Sequence, residues 1–205
     1  MKRFSNILVA LGVTMFLLTV GMKSEVVAQS CCPSGLYTQL TITNVTHPTS
    51  GCKFSITYCY YNEPTGTRKI FICKITVDAT QPCNFSLFTL DSDFWDLVDQ
   101  TVLSDLHSKD PFVPCGEGGG QSNMIVESSR AKCQKVYHDI VLDTYVVEAC
   151  DAEPGLCVSV YTVCVDNGVF VINPVSGPTY IGGGDCPTTP PNINSNTPTC
   201  FNTCQ

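Results

Sequence analysis

Positive charge is in short supply in this chain. Its 205 residues hold 11 Lys and Arg against 18 Asp and Glu, and charged residues together make up only 14%. A nucleic-acid partner needs clustered Lys and Arg against its phosphates, so this balance argues against one. Histidine is scarcer still, with His47, His107 and His138 the whole supply. No Gly-x-Ser-x-Gly elbow accompanies them, which leaves no recognisable serine–histidine nucleophile. Gly118-Gly119-Gly120 is not followed by Lys-Ser or Lys-Thr, so it is no phosphate loop. There is no Cys-x2-Cys pair; the closest comparable spacing is Cys200-x3-Cys204. Cys133 and His138 lie five apart on an apparent strand, on opposite faces, so no zinc set emerges. The sequence therefore yields no catalytic, cofactor-binding or metal-ligating residues.

Long apolar runs are absent beyond Met22. The one run present, Ile7 to Met22, is about 16 residues, short of the roughly 20 a bilayer span needs. It follows Met1-Lys2-Arg3 and is followed by the small residues of Val26-Val27-Ala28. A basic start, a short apolar core and a small-residue exit are the pattern of a secretory signal peptide, residues 1–28, with cleavage after Ala28. The Ala28-Gln29 ending resembles signal peptides of Gram-negative bacteria of the Bacteroidota type, which implies a secreted, periplasmic or cell-surface location. A lipid anchor on Cys31 is the weaker alternative, because Ala28-Gln29-Ser30 lacks the large aliphatic residue usual three positions before such a cysteine. Loss of Lys2, Arg3, Lys23 and Glu25 with the leader leaves 8 basic and 17 acidic residues, a net charge of −9. No transmembrane segment is expected after that removal.

Against these absences stands an abundance of cysteine. All 14 lie beyond the cleavage site, and an even count behind a signal peptide is a framework of up to seven disulfides. The stretch Cys52 to Cys83 shows the building method. Two strand-like runs, Lys53–Tyr61 and Lys69–Asp78, flank the turn-forming residues Asn62 to Gly66. A turn centred near Thr65-Gly66 sets Cys59 opposite Cys73 and brings Cys52 to Cys83 at the open end. The expected bridges are therefore Cys59–Cys73 and Cys52–Cys83. Adjacent Cys31 and Cys32 rarely bond to each other, so each should take a different partner in the body. Partners for Cys31, Cys32, Cys115, Cys133, Cys150, Cys157, Cys164, Cys186, Cys200 and Cys204 stay open.

Alternation makes Leu36 to Val45 a first strand, and places Phe54, Ile56, Tyr58 and Tyr60 on one face of the hairpin. The period then changes. Phe94, Val98, Val102 and Leu106 recur at i+4, which predicts an amphipathic helix over about 92–108, capped by Asp91 or Ser92. Asp91, Asp93, Asp96 and Asp99 lack the glycine turn and final glutamate of a calcium loop and are read as a solvated helix face. Met124–Val126, Cys133–His138 and Thr144–Cys150 are expected as strands. Asn167-Gly168 joins Cys157–Val165 to Val169–Val175 as a hairpin. Pro174-Val175-Ser176-Gly177-Pro178 and Gly182-Gly183-Gly184 then end regular structure. Cys186, Cys200 and Cys204 indicate that the Pro-, Thr- and Asn-rich tail, 186–205, is strapped to the body.

These signals add up to a mainly β protein: a disulfide-rich, antiparallel, sandwich-like domain over 29–185 with one packed α-helix. The favoured function is a non-catalytic secreted or cell-envelope module for structure, adhesion or binding. A small secreted, disulfide-stabilised hydrolase is the alternative. The expected partner is a protein, a glycan or another copy of the chain, reached through the loops Pro111–Ser122 and Gly177–Asp185 or an exposed sheet edge.

Overall fold

The computed structural model describes residues 31–116, 123–150, 155–188 and 198–204. The expected signal peptide, 1–28, lies outside these residues, as do 117–122 of the glycine loop. The remainder is mainly β: strands β1 (Thr38–Thr46), β2 (Lys53–Asn62), β3 (Arg68–Asp78), β4 (Met124–Ala131), β5 (Cys133–Asp139), β6 (Thr144–Ala149), β7 (Leu156–Asp166), β8 (Val169–Ile181) and β9 (Thr199–Asn202), with helix α1 (Ser92–Lys109) between β3 and β4.

β1, β2 and β3 form an antiparallel meander. The far edge of β3 is shared by two neighbours. Arg68–Ile72 pairs with β4 and Lys74–Asp78 pairs with β6. The sheet therefore branches at β3 into one arm of β4, β7 and β8 and another of β6, β5 and β9. The β3–β4 pair is parallel, so the sheet is mixed, one parallel pair within otherwise antiparallel strand pairing. Helix α1 supplies the long connection that a parallel neighbour requires.

One core joins both arms to the helix. Phe54, Ile56, Ile70 and Ile72 from the meander meet Val126 and Val163 of one arm, Val136 and Val147 of the other, and Phe94, Val98, Val102 and Leu106 of α1. Complete burial of each such side chain stabilises the fold by roughly 1.5–3 kcal/mol. Asp91 caps α1, its Oδ1 accepting the Phe94 N–H at 3.0 Å, and Asp93 sits in the first turn beside the positive end of the helix dipole.

Two strands run further than their composition suggests. β4 continues through Glu127-Ser128-Ser129-Arg130-Ala131, a polar stretch with no apolar period. β8 continues past Pro174 and Pro178 to Ile181. An edge strand tolerates proline because the lost N–H would have faced no partner, and two register shifts against β7 absorb the irregularity. The β7–β8 turn is Asn167-Gly168, with φ of 48° and 79°, the positive pair that a two-residue hairpin turn demands.

All 14 cysteines are bonded. Cys52 is bridged to Cys83. Cys59 is not bridged to Cys73; it pairs with Cys32, and Cys73 with Cys31. The register explains the correction. The β2–β3 turn centres on Thr65, one residue short of the Gly66 centre that a Cys59–Cys73 match needs, so Cys59 faces Phe71. A bulge at Thr57/Tyr58 then shifts the rest of the hairpin. The remaining bridges are Cys115–Cys164, Cys133–Cys186, Cys150–Cys200 and Cys157–Cys204. Three of these strap the tail, and β9 adds to the edge of β5.

Candidate functional site

Helix α1 and the β4–β7–β8 arm enclose a cleft of about 350 Å³. Its floor is built by side-chain spacing on three elements. Ser128 and Arg130 are two apart on β4, so they share a face, and Ser159 and Tyr161 do the same on β7. The β4–β7 register sets Ser128 beside Ser159 and Val126 beside Tyr161. Asp99 descends onto them from α1. The rim is Ser92, Asp96 and Gln100 on the helix, facing Pro174, Ser176, Gly177 and Pro178 on β8.

The floor is a buried polar network. The Ser128 hydroxyl donates to Asp99 Oδ1 at 2.6 Å and the Tyr161 hydroxyl to Asp99 Oδ2 at 2.8 Å. Arg130 Nη1 stands 3.8 Å from Asp99 Oδ2. Its Nη2 donates to the Thr203 carbonyl at 2.9 Å, and the guanidinium lies 4.4 Å over the Trp95 ring. Asp99 and Arg130 are each 2% exposed. Burial pushes the Asp99 carboxyl above its ordinary value, while Arg130 and the two hydroxyl donors pull it back. Burial lowers the Arg130 guanidinium, against the attraction of Asp99. Burial, then the Asp99 charge, drives the Tyr161 phenol upward. Among the described residues, Arg130 Nε and Nη1 and Trp95 Nε1 have no hydrogen-bond partner.

This network corrects one reading of the sequence. The four aspartates do not form a solvated face: Asp96 is exposed on the cleft rim, Asp91 caps the helix, and Asp99 is buried. The only sequence signal for that burial was the position of Asp99 one residue after Val98 on the apolar stripe.

None of the three histidines enters the cleft. His47 Nδ1 accepts the Ser50 N–H at 3.2 Å and lies 2.9 Å from Ser50 Oγ, with the ring against Phe88. Burial lowers its pKa below the usual histidine value, opposed by Asp91. His107 Nδ1 accepts the Phe112 N–H at 3.0 Å, and its ring stacks with Phe112 and Phe170. His138 Nε2 meets Asp143 Oδ1 at 3.0 Å on the exposed β5–β6 turn. On the β2–β3 hairpin, Tyr58 is core and its hydroxyl donates to Asp105 Oδ2 at 2.7 Å.

Of the two candidate loops, Gly177–Asp185 begins as the wall of the cleft. The described part of Pro111–Ser122 is tied down by Cys115–Cys164 and by a bridge between Pro114 and Val165. The sulfurs of Cys31, Cys59 and Cys73 lie within 4.8 Å of one another, but each is in a disulfide and none is a thiolate ligand.

Exposed large apolar side chains gather at two places, the second of which overlaps the candidate loop Gly177–Asp185. Ile140, Val141 and Leu142, at the tip of the β5–β6 turn, are 80%, 87% and 64% exposed. Val169, Val175, Tyr180 and Ile181 are exposed along β8, at the end of the sheet. No helix among the described residues is long and apolar enough to cross a membrane. No protein-family model matches the chain, and no curated protein or solved structure shows significant similarity to it.

Proposed function

We propose that the chain is an exported, non-catalytic module that binds a protein surface or assembles with copies of itself in an oxidising compartment. In this reading residues 1–28 are removed, 29–185 form the working domain, and 186–205 are its covalent strap. The observation that carries the proposal is the exposed Ile140-Val141-Leu142 tip. Three consecutive large aliphatic side chains held in water by a tight turn are an interaction feature, since isolated exposed residues are ordinary but contiguous patches are not. Asp139 makes this a fixed turn rather than a loose one, its Oδ1 accepting the N–H groups of Val141 and Leu142 at 3.0 and 3.2 Å. The β8 edge offers a second contact surface.

Light scattering of the oxidised protein across a concentration series tests the assembly half, and pull-down with the immobilised tip variant Val141→Asp tests the binding half. Concentration-dependent association that Val141→Asp abolishes supports the reading. A strict monomer whose captured partners are unchanged by Val141→Asp overturns it.

The hydrolase alternative has the cleft in its favour. There, however, both carboxylate oxygens of Asp99 are taken by the Ser128 and Tyr161 hydroxyls, and no histidine stands beside them. Turnover of ester, glycoside or peptide substrates that Asp96→Asn abolishes would favour this alternative. The lipid-anchor alternative needs a thioether at Cys31, whose Sγ is bonded to Cys73. A Gram-negative origin rests on the Ala28-Gln29 resemblance alone.

A further inference from the structure

The four sulfurs that hold the N-terminal segment lie close enough to exchange partners. Cys31–Cys73 and Cys32–Cys59 run side by side from two adjacent residues to two adjacent strands. Across them, Cys59 Sγ and Cys73 Sγ are 3.2 Å apart without being bonded. Exposure differs sharply within the set: Cys31 is exposed and Cys32 half-buried, while Cys59 and Cys73 are buried. An attacking thiol therefore reaches one sulfur first.

We propose that Cys31 is a site of addition for external thiols, and that its modification releases the N-terminal segment through a disulfide relay. A monothiolate attacks Cys31 Sγ, forming a mixed disulfide and breaking Cys31–Cys73, with the electron pair left on Cys73 Sγ. That buried thiolate faces Cys59 Sγ at 3.2 Å. It attacks there, the Cys59–Cys73 bond forms, the Cys32–Cys59 bond breaks, and Cys32 departs as a thiolate that takes a proton from solvent. Two disulfides and one thiolate enter, and two disulfides and one thiolate leave. The attacking species is a thiolate, so the reaction quickens as pH rises toward the ordinary thiol pKa of about 8.5. Afterwards the β2–β3 hairpin keeps an internal staple, while Cys31 and Cys32 have lost both ties to it. The hairpin bridge that strand register disfavours in the resting protein thus becomes the product of thiol–disulfide exchange.

Trypsin puts Cys59 on Phe54–Arg68 and Cys73 on Ile70–Lys74, apart from the peptide ending at Lys53 that carries Cys31, Cys32 and the Cys83-bridged Cys52, within which fragmentation tells Cys31 from Cys32. The oxidised protein is exposed to limiting glutathione at pH 8, quenched by alkylation and mapped without reduction. The expected result is glutathione on Cys31, alkylated Cys32, and a new cross-linked pair of Phe54–Arg68 with Ile70–Lys74. Alkylated Cys73 with Cys32–Cys59 intact, or no modification at Cys31, overturns the proposal. The variant Cys31→Ser poses the same question without added thiol. Its single unpaired thiol should map to Cys32, and a free thiol at Cys73 would count against the relay.

Discussion

Asp99 and Arg130 are costly residues to bury, and their mutual attraction, with the hydrogen bonds around them, offsets that cost. Asp99 has both oxygens occupied by hydroxyl donors, and Arg130 is held between the Trp95 ring and the Thr203 carbonyl. Removing one member strands the other charge in the interior, which typically costs about 3–5 kcal/mol. Asp99→Ala should therefore lower the urea-unfolding free energy by roughly that amount, and a loss below about 1 kcal/mol would show that Arg130 finds water instead. His47 supports a prediction about pH. Its folded pKa lies below the ordinary value because burial disfavours the imidazolium. The unfolded chain thus binds the proton more readily. Stability from neutral His47 is present above about pH 6.5 and is lost as pH falls through the folded value. The difference in unfolding free energy between wild type and His47→Gln should narrow from pH 8 to pH 5. A gap that does not change with pH would mean that His47 does not titrate differently on folding.

At the level of elements, β8 is the least regular strand and also the wall of the cleft. Gly177 is where the two facts meet. Its φ is 129°, and a Cβ there would stand 2.7 Å from the Ser159 Cα on β7. Gly177→Ala should thus push the wall away from β7, with a loss above about 1 kcal/mol and faster amide exchange in 174–181. Unchanged exchange there would refute the close approach. Much of this architecture is legible from sequence: the Asn167-Gly168 turn, the i+4 stripe of α1 and the alternation of Phe54, Ile56 and Tyr58 each follow from local rules. The continuation of β4 past Val126 is not legible, because Ser128 and Arg130 are buried beside Asp99, which lies 29 and 31 positions earlier in the chain. No local period reports that partnership. The branching at β3 is hidden for the same reason, and the Cys59–Cys73 expectation failed on a turn centre one residue away. Proline at 174 and 178 suggested the end of a strand, but on an edge it removes only donors that had no partner.

For the whole molecule, the seven disulfides do more than close loops, and the tail shows how the two effects can be separated. Cys150–Cys200 and Cys157–Cys204 span 50 and 47 residues, so chain entropy assigns each nearly the same stabilisation, about 4 kcal/mol. Their neighbourhoods differ. Cys204 immediately follows Thr203, whose carbonyl holds Arg130 Nη2 and whose hydroxyl donates to the Ala131 carbonyl at 2.9 Å. Cys200 holds the tail at β9 and touches neither Arg130 nor Asp99. Replacing Cys157 and Cys204 together by serine frees the last residues and leaves a buried guanidinium short of its one neutral acceptor. Replacing Cys150 and Cys200 removes a loop of the same size but leaves Thr203 tied through Cys204. The Cys157→Ser/Cys204→Ser protein should therefore have the lower Tm of the two, with the gap reduced when each pair is combined with Arg130→Met. Equal Tm values for the two serine pairs would mean that the tail acts on the fold by loop closure alone, and that the cleft floor is stable without its strap.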